Sequence, residues 1–130
     1  MALKVQASAP SATADYTKIY SLAGGEVVDI QQATAKAWAS WDGTGTVALH
    51  DSYNVSSLAD NGVGAYTISF ANNMANTNYS FSGCTDAIGT GGTVTLYAND
   101  QRAVGSIKVA TFDDNSQEDN DVVTLQIFGD

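Results

Sequence analysis

Basic residues, cysteine, histidine and proline are all scarce in this chain, and each scarcity removes a class of function. Five Lys and Arg stand against fourteen Asp and Glu, for a formal net charge of −9 and a sequence pI near 4.1. A chain of this sign repels phosphate backbones, which argues against nucleic-acid binding through a basic patch and against anionic membrane surfaces. The lone cysteine, Cys84, cannot form an intrachain disulfide. With the lone histidine, His50, it cannot supply the four ligands of a structural zinc site. No apolar run approaches the roughly 20 residues that a membrane-spanning helix needs, so no membrane insertion is expected. The residues after Met1 lack a basic segment followed by an apolar one, so no secretory signal is expected either. Charged residues make up only 15% of the chain, against about 25% in an average soluble domain, and Ser, Thr, Asn and Gly take over the solubilising role.

What remains is a β pattern. Lys36–Asp42 carries both tryptophans and stops at Gly43-Thr44-Gly45. Thr46–Val55 is rich in β-branched and aromatic residues, and Ala65–Phe70 alternates strictly, with Tyr66, Ile68 and Phe70 on one side. Between them Asp60-Asn61-Gly62 and Gly64 form a turn, because Asn and Gly tolerate positive φ. Further runs follow at Tyr79–Cys84, Thr93–Ala98, Ala103–Phe112 (kinked at Gly105) and Val122–Phe128, with a loop at Asp86–Gly92 that tucks Ile88 beneath it. About seven or eight short strands at turn spacings of about ten residues predict an antiparallel β-sandwich, jelly-roll-like, over residues 36–130.

Residues 1–35 read as a separate attachment segment. Val5–Ala14 is small and polar, contains Pro10, and suits an extended arm. Tyr16–Leu22 and Glu26–Ile30 predict a small hairpin around Gly24-Gly25. Gln31–Ala37 has helical propensity but runs into the strand at Lys36, and a short linker is expected there.

The run KAWASWDGTGTVALHDSYNVSSLADNGVGAYTISF, residues 36–70, resembles a module of bacteriophage tail-fibre and related virion proteins. The matching positions are Lys36-Ala37-Trp38, Gly43 to Ala48, Ser52 to Ser57, Asp60 to Gly62, Gly64 and Tyr66-Thr67. Ala9 to Tyr20 is similar, more loosely, to segments near the N-termini of phage fibre and appendage proteins. The resemblance implies a place in the virion, assembly as a homotrimer, and contact with other virion proteins through the N-terminal arm. It does not identify a ligand; a host-surface glycan or protein is the expected kind of partner.

Several groups were weighed as chemistry. His50 is mid-strand, and adjacent Asp51 faces the opposite side, so the pair is poorly arranged for a catalytic triad. It reads as a strand histidine, partly buried or at a subunit contact. Cys84 lacks a helix N-terminus or Gly-rich elbow and reads as a small buried hydrophobe. The acidic run Asp113–Asp121 offers hard oxygen ligands of the calcium type at Asp113, Asn115 and Glu118. It lacks the EF-hand spacing and central glycine, and so reads as a solvated hairpin tip. Trp38 and Trp41 face opposite sides of one strand: one fills the core, while the other suits a subunit interface or an aromatic platform for a sugar ring.

No catalytic, cofactor-binding or metal residue is assigned, and no enzyme is expected. The expected function is a tail-fibre or receptor-binding module that attaches the virion to the host surface. The alternative is a capsid decoration protein or head fibre bridging capsomers, which the shortness of the chain favours. A polysaccharide-degrading fragment would need paired carboxylates facing one cleft, whereas the acids here cluster at turns and strand ends.

Overall fold

The computed structural model describes residues 18–20, 26–29, 33–86 and 92–129. The predicted arm at Val5–Ala14, residues Gln31 and Gln32 of the expected linker, and Ile88 lie outside them. Strands β1 (Lys18–Tyr20) and β2 (Glu26–Asp29) pair antiparallel as a hairpin of their own, where the sequence predicts one.

All other strands among the described residues belong to one antiparallel sheet. They are β3 (Ala35–Asp42), β4 (Ala48–Tyr53), β5 (Val55–Asp60), β6 (Ala65–Phe70), β7 (Ser80–Thr85), β8 (Thr93–Leu96), β9 (Arg102–Ala103), β10 (Ser106–Asp113), β11 (Ser116–Gln117) and β12 (Val123–Phe128). Across the sheet the order is β4-β3-β12-β7-β8-β10-β6-β5, with β9 and β11 paired to β10. The fold is all-β, as expected, and the sandwich is of the nearly closed kind. Strands β4 and β5 are at opposite ends of this order yet consecutive in the chain, and β5 lies against both β3 and β4.

The core follows from period-2 alternation. Ala37, Ala39 and Trp41 of β3, Tyr66, Ile68 and Phe70 of β6, Ile107 and Val109 of β10, and Val123, Leu125 and Ile127 of β12 all point inward and are buried. Trp41 is the tryptophan that fills the core, packed edge-on against Tyr66 at a centroid distance of 5.5 Å. The small Ala37 and Ala39 beside it leave room for that ring, which is how β3 seats so large a side chain without displacing β12.

Three expectations about strands need correction. The predicted run Thr46–Val55 breaks at Asn54, whose φ of 56° is left-handed, so one strand becomes two. Asn is one of few residues that enter this region cheaply. The kink expected at Gly105 is a full reversal: Arg102 pairs with Ile107 and Ala103 with Ser106. Cys84 is exposed rather than buried, because β7 turns Ser80, Ser82 and Cys84 outward while Phe81, Gly83 and Thr85 face in. Its Sγ lies 3.2 Å from the Thr124 hydroxyl on the neighbouring strand.

The acidic run is not simply a solvated tip. Asp114 and Asn115, at φ 47° and 67°, reverse the chain between β10 and β11 and are exposed. Asp119, further on, folds back onto the barrel end. Its carboxylate accepts the Gly64 N–H at 2.6 Å and the Tyr66 hydroxyl at 2.7 Å. Asn120 is buried, and its carbonyl accepts the Gly43 N–H at 2.9 Å. Three separate loops are thus tied at one end of the core.

Two tyrosines carry their hydroxyls inside. Tyr79 donates to the Ala103 and Ser106 carbonyls at 3.0 and 3.1 Å, and burial pushes its pKa up to about 12. Burial, followed by the hydrogen bond to Asp119, pushes Tyr66 higher still. Both phenols keep their protons in the folded chain after the unfolded chain has begun to lose them near pH 10. Stability is therefore full below pH 10 and falls as pH rises from about 10 towards 12. Thermal melts at pH 8 to 12 should show this decline, and it should be shallower in Tyr79→Phe; an unchanged slope would mean that Tyr79 ionises normally.

Candidate functional site

The outward face of β3 carries Lys36, Trp38, Ser40 and Asp42, opposite in direction to the core set. Trp38 pairs with Tyr53 on one side and with Gln126 on the other, and Gln126 pairs with Ser82. Directly opposed residues of an antiparallel pair share a face with Cβ atoms about 4.5–5.5 Å apart. Tyr53, Trp38, Gln126 and Ser82 therefore form one row across four strands. Asp51, Ser40, Thr124 and Cys84 form the next. Tyr53 is 57% exposed, unusually open for an aromatic residue, and Trp38 is half-buried.

Two depressions open beside this row and share Ala35. One, of about 290 Å³, has Trp38, Ser40, Thr124 and Gln126 around it, with Ala39 and Leu125 also lining it. The other, of about 560 Å³, lies at the barrel's closing corner and is lined by Tyr53, Lys36, Met74 and the amides of Asn54, Asn72, Asn73 and Asn76. The smaller lies at the lower bound, and the larger well inside, the roughly 300–1,000 Å³ typical of small-molecule sites.

The corner is held by Asn54. Its Nδ2 donates to the Lys36 carbonyl at 2.9 Å and the Asn72 carbonyl at 3.1 Å, and its Oδ1 accepts the Asn72 N–H at 2.7 Å. The Asn54 carbonyl accepts from Ala71 N–H at 3.1 Å. With its polar atoms committed to protein, Asn54 shapes the depression. Asn73, Asn76 and Gln126 offer further amides. Met74, the only large apolar residue of the predicted connection Ala71–Asn78, is buried beneath it.

The other groups weighed in the sequence are placed apart. His50 is exposed, at the irregularity where Ser40 pairs with Asp51 and Trp41 with Leu49. It is on β4 and Cys84 is on β7, with β3 and β12 between, a separation of roughly 14 Å at ordinary strand spacing. The two do not form a nucleophile–base pair. Asp113, Asn115 and Glu118 do not converge: Asn115 is at the β10–β11 tip, and Glu118 offers its backbone to Thr111. Among the described residues no group of three or more His, Cys, Asp or Glu is arranged to hold a metal ion. Beside β10, Arg102 grips Asp100 with two bonds of 2.8 and 2.7 Å and donates to the Tyr79 carbonyl at 2.9 Å. The guanidinium holds the Asp100 carboxyl down at about 2. That pair braces the β9 turn.

Sequence reasoning placed the two tryptophans on opposite faces but missed Tyr53, Gln126 and the Asn72–Asn76 segment as neighbours of Trp38. The available signal was the outward parity of Gln126 on the clearest strand, which becomes informative only once β12 is known to lie beside β3. No protein-family model, curated protein or solved structure matches this chain.

Proposed function

We propose that this chain is a non-enzymatic virion protein, a tail-fibre or receptor-binding module of a bacteriophage that attaches to the host surface through the outer face of β3, β4 and β12. The resemblance of residues 36–70 to tail-fibre modules supports the virion setting, and with it assembly as a homotrimer. The observation that carries the attachment reading is the row Tyr53–Trp38–Gln126, an outward-facing aromatic pair, Tyr53 exposed and Trp38 half-buried, set among hydroxyls and amides on the strands. Aromatic rings with a wet edge give large contact area at small entropic cost, and hydrogen-bonding neighbours add specificity. Its groups suit holding a ligand more than transforming one.

Attachment to capsomers as a decoration protein or head fibre is the competing outcome of the same test. Purified protein is mixed separately with intact cells of candidate host bacteria and with undecorated phage capsids, then sedimented. The proposal expects cell binding that falls at least ten-fold in Trp38→Ala. Stoichiometric capsid binding without cell binding would overturn it in favour of decoration.

A further inference from the structure

We infer that the strip formed by Trp38 and Tyr53 is a saccharide subsite selective for uncharged sugars: neutral hexose or N-acetylhexosamine units rather than uronic or sialic acids. The inference rests on the attachment reading above and names its ligand class. Its starting point is charge. Of the chain's fourteen carboxylate side chains, none among the described residues lines either depression, and Lys36 is the one charged described residue that does. A surface this acidic elsewhere repels anionic glycans before they reach the strip, and one lysine does not offset a net charge of −9. A neutral ligand meets no such barrier, and the nearest carboxylate on this face, Asp51, stands one row away beside Ser40 and outside both depressions, where it keeps its water.

The chemistry of the lining matches the two sides of a pyranose. An aromatic face is the negative end of a quadrupole and attracts the weakly positive C–H bonds on the apolar face of a sugar ring. Trp38 and Tyr53, opposed on neighbouring strands, supply two such rings on one face. The edge of a sugar is a fringe of hydroxyls, each both donor and acceptor. Gln126 and Ser40 around the smaller depression, and Asn73 around the larger, carry groups that pair with hydroxyls in either sense, and the Asn76 Nδ2 adds a donor; the Thr124 hydroxyl is engaged with Cys84. An apolar protein partner would call for a broad hydrophobic patch, and here the two aromatics are flanked by Lys36 and Ser40 on β3, Asp51 on β4, and Thr124 and Gln126 on β12.

The test uses the full chain on a glycan array carrying neutral hexose and N-acetylhexosamine oligosaccharides beside uronate- and sialate-terminated ones, with Trp38→Ala, Trp38→Phe and Tyr53→Ala in parallel. The expected result is binding confined to neutral glycans, reduced at least ten-fold in Trp38→Ala and Tyr53→Ala and largely retained in Trp38→Phe, which keeps a ring. Binding to the acidic set, or to no glycan, overturns the inference. So does a change of oligomeric state in Trp38→Ala, measured by light scattering, because that outcome makes the strip a contact between copies. If Trp38→Ala does not fold, Tyr53→Ala, at a largely exposed position, decides. Cell co-sedimentation separates the two claims: wild-type binding that survives both alanine variants leaves attachment standing and removes the strip as its site, whereas capsid binding alone removes attachment itself.

Discussion

Gly64→Ala should destabilise the protein by about 3–5 kcal/mol, among the largest effects a single methyl group can have. Gly64 has φ of +56°, and a Cβ there would lie 2.7 Å from the backbone N and O of Glu118 and 2.8 Å from the Thr111 carbonyl. These are main-chain atoms of paired segments that cannot swing aside. The methyl group would also pry at the bonds that converge on this residue, its N–H to Asp119 and its carbonyl from Thr111 N–H. Gly45→Ala is the control, because Gly45 has nearly the same φ, +59°, with nothing within 4 Å of its added Cβ. It isolates the left-handed conformational cost, about 1–2 kcal/mol. Urea denaturation of both variants measures the difference. Equal midpoints would show that the acidic segment yields to the methyl group and is not a fixed part of the barrel end.

Asn54→Ala is the second large effect, expected at about 2–4 kcal/mol. The substitution removes side-chain bonds to the Lys36 and Asn72 carbonyls and from the Asn72 N–H, each contributing about 0.5–1.5 kcal/mol. It also places a Cβ-bearing residue without a compensating polar group at φ 56°. Asn54→Gly restores the backbone freedom but not the bonds and should fall between alanine and wild type. Hydrogen exchange at the Asn72 amide should accelerate in both variants relative to the core amides of β12. A stability within about 0.5 kcal/mol of wild type for Asn54→Ala would mean that strand pairing alone closes the barrel.

These two residues also show what was legible in the sequence. The β class, the inward sets of β6 and β12, and the turn at Asp60–Gly64 follow from parity and from turn chemistry, both of which act over a few residues. The break at Asn54 does not, because Ser-Tyr-Asn-Val-Ser reads as one β run and only the distant Lys36 and Asn72 carbonyls reward a left-handed asparagine there. Asp119 is similar: the nine residues Asp113–Asp121, all polar or acidic, read as a solvated tip, and its true partners are more than fifty residues earlier. Cys84 was misread for a different reason. Parity placed it with Ser80 and Ser82 but could not say which face of β7 is covered, and apolar character tipped the reading inward. The strip around Trp38 was half legible, since an outward-facing tryptophan was anticipated and its cross-strand neighbours depend on strand order.

Several positions that carry the resemblance of residues 36–70 build the fold. Asn54 makes the corner, and the Ser56 hydroxyl donates to the Ser69 and Phe70 carbonyls where β5 is irregular. Gly62 N–H is capped by Asp60 at 2.8 Å, Gly64 admits Glu118, and Tyr66 reaches Asp119. Trp38 and Tyr53 differ, since they serve the outer face.

The place of β12 in the sheet sets the order in which the molecule can be completed. This strand sits between β3 and β7, and both are synthesised before it. Until it emerges, the growing chain holds two strands with unpaired edges facing a gap one strand wide, the kind of template to which stray strands add. Pairing Val123 with Trp41 also closes a loop spanning most of the chain, a slow step in folding by its topology. Where many copies are made together, the same gap is open to a neighbour's β12, and exchanged strands would link subunits with the same hydrogen bonds that complete each one alone.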